Sequence, residues 1–354
     1  MPGRIRIAAG SIREADDETL TFAAQLGVSG VILNTPPLTG EAPYGSMQSL
    51  GTAYWRRPGP ASPPVKWDFL ELLHLRKRIE SHGLRLEAIE NVPIHFYEDC
   101  LTGGPRRDEQ LRNYCDTIRA LGAAGIPVLG YHWMANRVWR TSKDERTRGG
   151  AGVSSFDLDL AARAPLTFGR EIDEVEVWSH YTRFIETVLP VAEAEGVTLA
   201  LHPDDPPVPS LGGVARVFRD LAGFRRALEI IAPSPRHKLD FCMGTWAEMG
   251  VETMMAGLRH FVAAGKVAYI HFRNVQGCVP RFREAFLDEG DVDVVAVIRL
   301  LVENDFDGVL IDDHVPHMVN DTVWMHRGRA YATGYMKGLV HAVEALRTSG
   351  TPGA

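Results

Sequence analysis

The sequence predicts an α/β protein with the architecture of a (β/α)8 barrel, also called a TIM barrel, formed by residues 1–354 as a single domain. Two observations lead to this prediction. Short apolar segments with many β-branched residues alternate with amphipathic segments of helical period along most of the chain. Several of the apolar segments also end in histidine, cysteine or aspartate, and a parallel barrel gathers such strand ends on one face.

Each predicted strand is a short apolar run that stops at a polar or turn-forming residue. The predicted strands are 4–9, 28–34, 84–92, 126–132, 199–202, 237–242, 267–273 and 308–314. A doubly wound open sheet is the alternative fold. It is disfavoured because no Gly-x-Gly-x-x-Gly follows the first strand, and because the polar strand ends are spread over the chain instead of meeting at one crevice.

Each predicted helix carries apolar residues at helical spacing, and glycines such as Gly83 and Gly125 end two of them. Acidic residues open the first helix, where the helix dipole favours negative charge. The predicted helices are 16–26, 67–82, 107–124, 177–195, 220–232, 249–264, 291–304 and 327–346.

Two long segments interrupt the alternation, after strand 2 and after strand 4. Residues 35–64 are rich in proline, glycine and serine, and residues 135–176 have mixed charge and little apolar periodicity. Insertions of this length in a compact domain are usually lids, binding loops or oligomer contacts, and a plain surface excursion is the alternative. By analogy with other barrels we expect a homo-oligomer in which such loops make subunit contacts.

Composition excludes several classes of partner. A formal charge of −7 gives no long-range attraction for nucleic acid or anionic lipid. No apolar run is long enough to cross a membrane, and the N-terminus lacks the apolar core of a secretion signal. The four cysteines are scattered without paired spacing, as in a reducing compartment. We therefore expect a cytoplasmic protein with a small-molecule substrate.

Four consecutive strand ends carry residues that can bind a metal ion: His202, Cys242, His271 and Asp313. Two imidazoles, a thiolate and a carboxylate suit a borderline divalent ion such as Mn²⁺, Fe²⁺, Co²⁺ or Zn²⁺, whereas Mg²⁺ and Ca²⁺ prefer oxygen ligands. Alternatively, Cys242 is a small core residue and Asp240, which faces the same side of the strand, replaces it.

Other polar residues lie beside these strand ends. Arg273 is placed to orient a substrate carboxylate, although a surface arginine is the alternative, and His314 is suited to general acid–base work near neutral pH. Asp204 and Asp205 are candidates for contacts with substrate hydroxyls or with the ligands, and ordinary turn residues are an equal alternative. The role of His317 is less clear.

Several motifs resemble those of the bacterial mannonate dehydratase family, a metal-dependent group among the xylose-isomerase-like barrels. The matching segments are Val92-Pro-Ile-His95, His202-Pro-Asp-Asp-Pro-Pro207, Phe241-Cys-Met-Gly-Thr245, His271-Phe-Arg273, Gly290-Asp-Val-Asp293 and Asp313-His314. The resemblance implies a Mn²⁺-type ion held by His202, Cys242, His271 and Asp313. It also implies a lyase of hexuronate catabolism that dehydrates D-mannonate to 2-keto-3-deoxy-D-gluconate.

With this reaction as the working hypothesis, we predict His314, Arg273 and Tyr331 as catalytic residues. His314 would exchange a proton with the substrate, Arg273 would orient its carboxylate, and another group would protonate the departing 3-hydroxyl. The predicted substrate contacts are Glu90, His132, Asp204 and Asn274.

The chain departs from the family pattern in three places. Its first strand reads Arg4-Ile-Arg-Ile-Ala-Ala-Gly10 where the family has Trp-Tyr-Gly, and Ile311-Asp312 replaces an Arg-Pro pair. Thr322-Val-Trp324 lies in the region where the family carries Pro-Gly-Tyr. Tyr331 is therefore proposed as a substitute for the tyrosine of that motif. These departures leave open a related isomerase, epimerase or eliminase acting on another sugar acid or keto-sugar. A barrel nuclease and a non-catalytic sugar-acid-binding protein are less favoured alternatives, because the charge is acidic and both His314 and Arg273 are present.

Overall fold

The computed structural model describes residues 4–38 and 64–349. Within this part of the chain, eight parallel strands close into a barrel in which each strand pairs with its neighbour in the sequence and the last pairs with the first. The prediction of a (β/α)8 barrel is therefore confirmed. The barrel strands are β1 (Arg6–Ile12), β2 (Gly30–Asn34), β3 (Arg85–Glu90), β4 (Val128–Tyr131), β5 (Thr198–Leu201), β6 (His237–Cys242), β7 (Val267–His271) and β8 (Val309–Ile311).

The helices that alternate with these strands lie close to the predicted ranges. They are α1 (Asp17–Gln25), α2 (Phe69–Ser81), α3 (Arg107–Ala123), α4 (Glu174–Ala194), α5 (Leu221–Arg225, continued by a π-helix over Arg226–Ile231), α6 (Val251–Ala263), α7 (Val294–Glu303) and α8 (His326–Ser349). Short helices also occupy Ile94–Phe96, Glu98–Thr102, Leu158–Ala161 and Met243–Glu248.

Aspartate caps decide where five of these helices begin. The side chains of Asp16, Asp68, Asp173, Asp220 and Asp293 each accept a hydrogen bond from a backbone N–H in the first turn of the following helix. Such a cap contributes about 1 kcal/mol to helix stability. Helices predicted to start at 16, 220 and 291 therefore begin one to three residues later, behind their caps.

Two apolar layers hold the barrel together. A small inner cluster that includes Ala8, Ile32, Ala200 and Tyr269 fills the space between the strands, and a much larger cluster packs the outer faces of the strands against the helices. Ile311, one of the departures from the family pattern, belongs to the inner cluster. Its apolar side chain therefore serves the core of the barrel.

The register of the strands aligns the polar strand ends. Cys242 on β6 lies opposite His271 on β7, and His271 lies opposite Ile311 on β8, two residues before Asp313. Because neighbouring parallel strands lie ~4.8 Å apart, this register brings consecutive C-terminal ends within reach of one ion.

The insertion at 135–176 contains two strands that the sequence did not predict. Ser142–Arg146 and Gly152–Asp157 join an antiparallel hairpin that follows β7, Asn274–Cys278 with Arg281–Ala285, to form a four-stranded sheet. We call these four strands the lid sheet. The strand Ser142–Arg146 reads Ser-Lys-Asp-Glu-Arg and is mostly exposed, so it lacks the apolar alternation that reveals a half-buried strand. Most of the other predicted insertion, 35–64, lies outside the described residues.

Among the described residues, no helix combines the length and the apolar character needed to cross a bilayer.

A buried ion pair ties α8 to the barrel. Asp312 accepts a hydrogen bond from the Gly10 backbone N–H at 2.8 Å and pairs with the Arg329 guanidinium at 2.6 Å. The Asp312 side chain is fully buried and that of Arg329 is 5% exposed. Asp312, which replaces a proline of the family pattern, thus joins the first strand, the last strand and the closing helix.

Replacing Asp312 with alanine is expected to lower the free energy of unfolding by about 3–5 kcal/mol, because Arg329 would keep a buried and unpaired charge. Denaturant unfolding followed by circular dichroism measures this change. The control is Glu98→Gln, which breaks a pair with Arg106 whose side chains are 43% and 53% exposed and which should cost no more than about 1 kcal/mol. Equal losses in the two variants would contradict a stabilising role for the buried pair.

Candidate metal centre and active site

The structure brings the four predicted metal ligands together at the C-terminal end of the barrel. Ligand atoms of His202, Cys242 and His271 lie within 4.8 Å of one another, and all three residues are buried. The Asp313 carboxylate completes the group, with Oδ2 3.6 Å from His271 Nδ1 and 3.9 Å from Cys242 Sγ. The arrangement can hold one ion among two imidazoles, a thiolate and a carboxylate.

Hydrogen bonds orient both imidazoles toward this group. His271 Nε2 lies 3.0 Å from Glu90 Oε2 and 3.2 Å from Asp240 Oδ1, whereas its buried Nδ1 has no hydrogen-bond partner among the described residues. His202 Nδ1 lies 2.6 Å from the carbonyl oxygen of Pro203, which leaves its Nε2 available. Holding one ring nitrogen by a hydrogen bond so that the other can bind metal is the usual support of a histidine ligand. The residues therefore fit a bound divalent ion.

The charges around Cys242 favour the thiolate, which is the form that binds metal. Burial alone would raise the pKa of the thiol, but the Arg273 guanidinium and the imidazoles of His202 and His271 outweigh it and bring the pKa well below its usual range. Asp240, considered as an alternative ligand, lies on the far side of the His271 ring and accepts a hydrogen bond from the Tyr269 hydroxyl at 3.2 Å. In this arrangement Asp240 supports His271 and does not take the place of Cys242.

Arg273 does not lie free to clamp a substrate. Its side chain is 1% exposed, and its guanidinium nitrogens lie 3.0 Å from Asp205, 3.1 Å from Glu248 and 3.0 Å from Asp313. Its terminal nitrogens donate hydrogen bonds to Glu248 and Asp205, and Nε forms an ion pair with Asp313, so Arg273 is suited to positioning Asp313. From the side of the strand on which Arg273 lies, the sequence predicted a direct contact with the substrate carboxylate. In the structure, carboxylates of the protein itself lie at its guanidinium instead.

Two residues that sequence reasoning missed complete the ion-pair network. Arg140, from the insertion, contacts Asp205 with both terminal nitrogens and lies 3.3 Å from Glu284 of the lid sheet. Neither residue lies in a recognisable motif. No local signal marks Glu284, because Arg281-Phe-Arg-Glu-Ala285 does not alternate apolar and polar residues as a half-buried strand does.

His314 lies at the edge between this network and the cavity. Its Nδ1 makes a close hydrogen bond with Glu284, and its Nε2 lies 3.7 Å from Asp313 Oδ1. Burial would lower the pKa of His314, but the carboxylates of Asp313 and Glu284 outweigh it and raise the pKa to about 9. With 41% of its side chain exposed, His314 is accessible to a substrate.

Replacing Glu284 with glutamine is expected to reduce kcat by about 10-fold to 100-fold and to leave the metal content unchanged, because His314 loses its charged partner but the ligands remain. Steady-state kinetics and metal analysis measure both effects. Glu289→Gln is the control, since Glu289 lies in the same region and its carboxylate accepts a hydrogen bond from the Thr147 hydroxyl at 2.8 Å. A loss of metal in parallel with activity would contradict a role through His314.

A cavity of about 1230 Å³ opens in front of the ligand group. Of the predicted substrate contacts, Glu90 and His132 line it. Burial lowers the pKa of His132 to about 3, so its imidazole is neutral at physiological pH and can exchange hydrogen bonds with a hydroxyl. The predicted metal ligands His202, His271 and Asp313 also line the cavity.

Besides Arg273 and Cys242, three predicted site residues do not line this cavity. Asp204 is buried and accepts a hydrogen bond from the Phe218 backbone N–H at 2.7 Å, which is a turn contact. Asn274 uses its amide to bind backbone groups, with 2.9 Å to the Leu287 carbonyl oxygen. Tyr331 lies on α8 with its ring against Phe286, at a centroid distance of 5.5 Å. Each is engaged elsewhere, so the structure does not place these three at a substrate.

Comparison with known proteins identifies the family. A family model described as D-mannonate dehydratase (UxuA) matches residues 13–164 and 159–349. The chain belongs to this family. Mannonate dehydratase 2 of Halalkalibacterium halodurans is 30% identical over 314 residues, which cover 79% of this chain and 88% of that protein. Membership makes the chain a hydro-lyase, and the family supports a sugar acid as its substrate and a metal requirement.

Solved structures agree with this assignment. The crystal structure of mannonate dehydratase from Streptococcus suis serotype 2 is 27% identical and superposes with a TM-score of 0.83, covering 99% of this chain and 96% of that one. An L-ribulose 3-epimerase structure shares the fold at 13% identity, with a TM-score of 0.58 and coverage of 99% of both chains. At that identity the second likeness concerns the fold alone.

Proposed function

We propose that this chain dehydrates D-mannonate to 2-keto-3-deoxy-D-gluconate with Mn²⁺ as its metal ion. The observation that supports the proposal is the convergence of His202, Cys242, His271 and Asp313 at adjacent strand ends, in a chain of the D-mannonate dehydratase family. Fe²⁺, Co²⁺ and Zn²⁺ suit the same mixed ligands, so reconstitution with each ion is part of the test.

In the proposed site these four residues would hold the ion. When bound, a divalent ion supplies Lewis-acid polarisation of the carboxylate and 2-hydroxyl oxygens of the substrate, which makes the C2 proton easier to remove. Glu90 and Asp240 would keep His271 oriented, and Arg273 would keep Asp313 in place through its 3.0 Å contact.

His314 is the proposed acid–base group. The neutral form of His314, which is the minor species at neutral pH because its pKa is raised to about 9, would take the C2 proton. Its protonated form would then give that proton to the departing 3-hydroxyl, which leaves as water. The resulting enol then tautomerises to the 2-keto acid, so the proton balance closes. Glu284 would hold Nδ1 of His314 and leave Nε2 toward the cavity. Tyr331 is omitted as the acid because it does not line the cavity, whereas His132 is retained as a contact for a substrate hydroxyl.

The test is turnover of D-mannonate by metal-stripped protein, without added ion and with Mn²⁺, Fe²⁺, Co²⁺ or Zn²⁺ added separately, followed as formation of a 2-keto-3-deoxy acid. Product that appears only with the added ion supports both the reaction and the metal requirement. Tight Mn²⁺ binding without any product would contradict D-mannonate as substrate and would direct the search to other sugar acids.

We also propose a homo-oligomer that acts in the cytoplasm. The exposed large apolar side chains of the insertion include Leu160, Leu166 and Phe168, at 48%, 44% and 43% exposure, which a neighbouring subunit could cover. All four cysteines are free, as expected in a reducing compartment. Light scattering over a range of concentrations tests the assembly, and a strictly monomeric protein would contradict it.

A further inference from the structure

The mouth of the cavity carries an excess of positive charge. Arg13, Arg137, Lys143 and Arg146 all line the cavity and are exposed. We call these four residues the cationic rim. None of them makes an ion pair with any of the described residues; Arg146 donates a hydrogen bond to the Gly150 carbonyl oxygen. Among the cavity-lining carboxylates, Asp144 is the one without a cationic partner in the described ranges.

The inner part of the cavity has a different charge balance. There, Arg140 is paired with Asp205 and Glu284, Arg329 is paired with Asp312, and Asp313 is paired with Arg273. Inner cations are therefore neutralised by the protein itself, whereas the rim cations have no ion-pair partner in the parts of the chain that the structure describes. The contrast is notable in a chain whose formal charge is −7, because positive charge concentrated at one opening attracts an anionic ligand to it.

Three of the four rim residues belong to the insertion at 135–176. Lys143 and Arg146 lie on the strand Ser142–Arg146 of the lid sheet, and Arg137 lies just before it. Arg137 also adopts a left-handed backbone conformation, with φ of 63°, which is uncommon outside glycine and is often found at binding sites. The insertion was considered above as a lid, a binding loop, an oligomer contact or a plain surface excursion. The position of the cationic rim favours a binding loop.

We propose that the preferred substrate is a sugar acid with two anionic groups, one at the metal end and a second, a carboxylate or a phosphate, that the cationic rim binds. The inference rests on the proposed dehydration and moves its preferred substrate from D-mannonate to a sugar acid with a second anionic group. Guanidinium groups pair with both anions through paired N–H donors, and a lysine adds a mobile point charge. The cavity, at about 1230 Å³, exceeds the usual ~300–1,000 Å³ of small-molecule sites, so a longer or more highly charged acid has room.

Two pairs of compounds test this inference. D-mannarate differs from D-mannonate only by a carboxylate in place of the terminal hydroxymethyl group, and 6-phospho-D-mannonate carries a phosphate there. Binding of each acid is measured by calorimetry on Mn²⁺-loaded His314→Asn protein, and kcat/KM is measured on the unaltered enzyme. The two dianions are expected to bind at least tenfold more tightly than D-mannonate, and the stronger of the two identifies the second anion.

The matched variants remove the same charge from different places. Arg13→Gln with Lys143→Gln takes two cations from the rim, and neither side chain makes a hydrogen bond or ion pair with any residue that the structure describes. Arg112→Gln with Arg259→Gln takes two exposed cations from outside the cavity. Because an exposed ion pair contributes modestly, the rim variant should weaken binding of the dianions about fivefold to tenfold more than binding of D-mannonate. The control variant should change neither the affinity for the dianions nor the affinity for D-mannonate.

The outcomes separate the inference from the proposed function. Equal affinity for D-mannonate and both dianions, or a preference that survives in the rim variant, overturns the inference. Tighter binding of a dianion without turnover of any of the three acids supports the inference and overturns the proposed dehydration.

Discussion

Replacing His314 with asparagine is expected to lower kcat by about 100-fold to 10,000-fold, the range for loss of a general acid–base group. Asparagine can still donate a hydrogen bond to Glu284, so local packing should persist, but its amide cannot carry a proton to and from the substrate. The metal ligands are untouched, and metal content should remain that of the unaltered protein. Steady-state kinetics on the Mn²⁺-loaded variant, with metal analysis of the same sample, measures both quantities.

The control for this variant is His341→Asn, which changes an exposed histidine on α8 far from the cavity lining. It should keep full activity and stability. If His314→Asn retained near-normal turnover, His314 would have no part in the chemistry, and the proton would have to be exchanged by another group that lines the cavity, such as His132.

Replacing Cys242 with serine is expected to weaken metal binding by at least about 100-fold, and activity at limiting metal should fall with it. Replacing a residue that only supports a metal ligand already lowers metal affinity about 10-fold to 100-fold. Serine removes the ligand itself, since its hydroxyl stays protonated at neutral pH. Equilibrium dialysis against Mn²⁺ measures the affinity. A large excess of Mn²⁺ should restore part of the activity.

Cys278→Ser is the matched control, because Cys278 is exposed at the end of a lid-sheet strand. The buried serine at 242 keeps a partner in Thr245, whose hydroxyl lies 3.2 Å from the Cys242 sulfur, so folding should be preserved. A thermal melt checks this. Unchanged metal affinity in Cys242→Ser would mean that Cys242 is a core residue, which was the alternative considered from the sequence.

The barrel and the meeting of the four predicted ligands could be predicted, because both depend on patterns within short segments of the sequence. An apolar strand followed by histidine, cysteine or aspartate carries its chemistry at a known point of the fold, and parallel pairing places such ends side by side. His202, Cys242, His271 and Asp313 each follow this rule. The helix boundaries were less accurate, since an aspartate such as Asp293 reads as part of the helix that it caps from outside.

The lid sheet could not be predicted in this way. Its strands are short and partly exposed, and they pair across more than 120 residues of sequence, as Arg281 does with Asp157. No local periodicity marks such pairing, because the partner strand and the barrel mouth beneath supply the contacts that stabilise it. Arg140 and Glu284 were missed for that reason.

The sequence by itself determined the strand–helix alternation, the family and the four side chains that meet at the barrel mouth, because apolar periodicity and strand ends are local properties. Tertiary structure alone decided which other polar residues face the cavity. Arg273 has the facing expected of a substrate contact, but Asp205, Glu248 and Asp313 surround it in space and occupy its donors. Such neighbours come from distant segments, and only the folded chain brings them together.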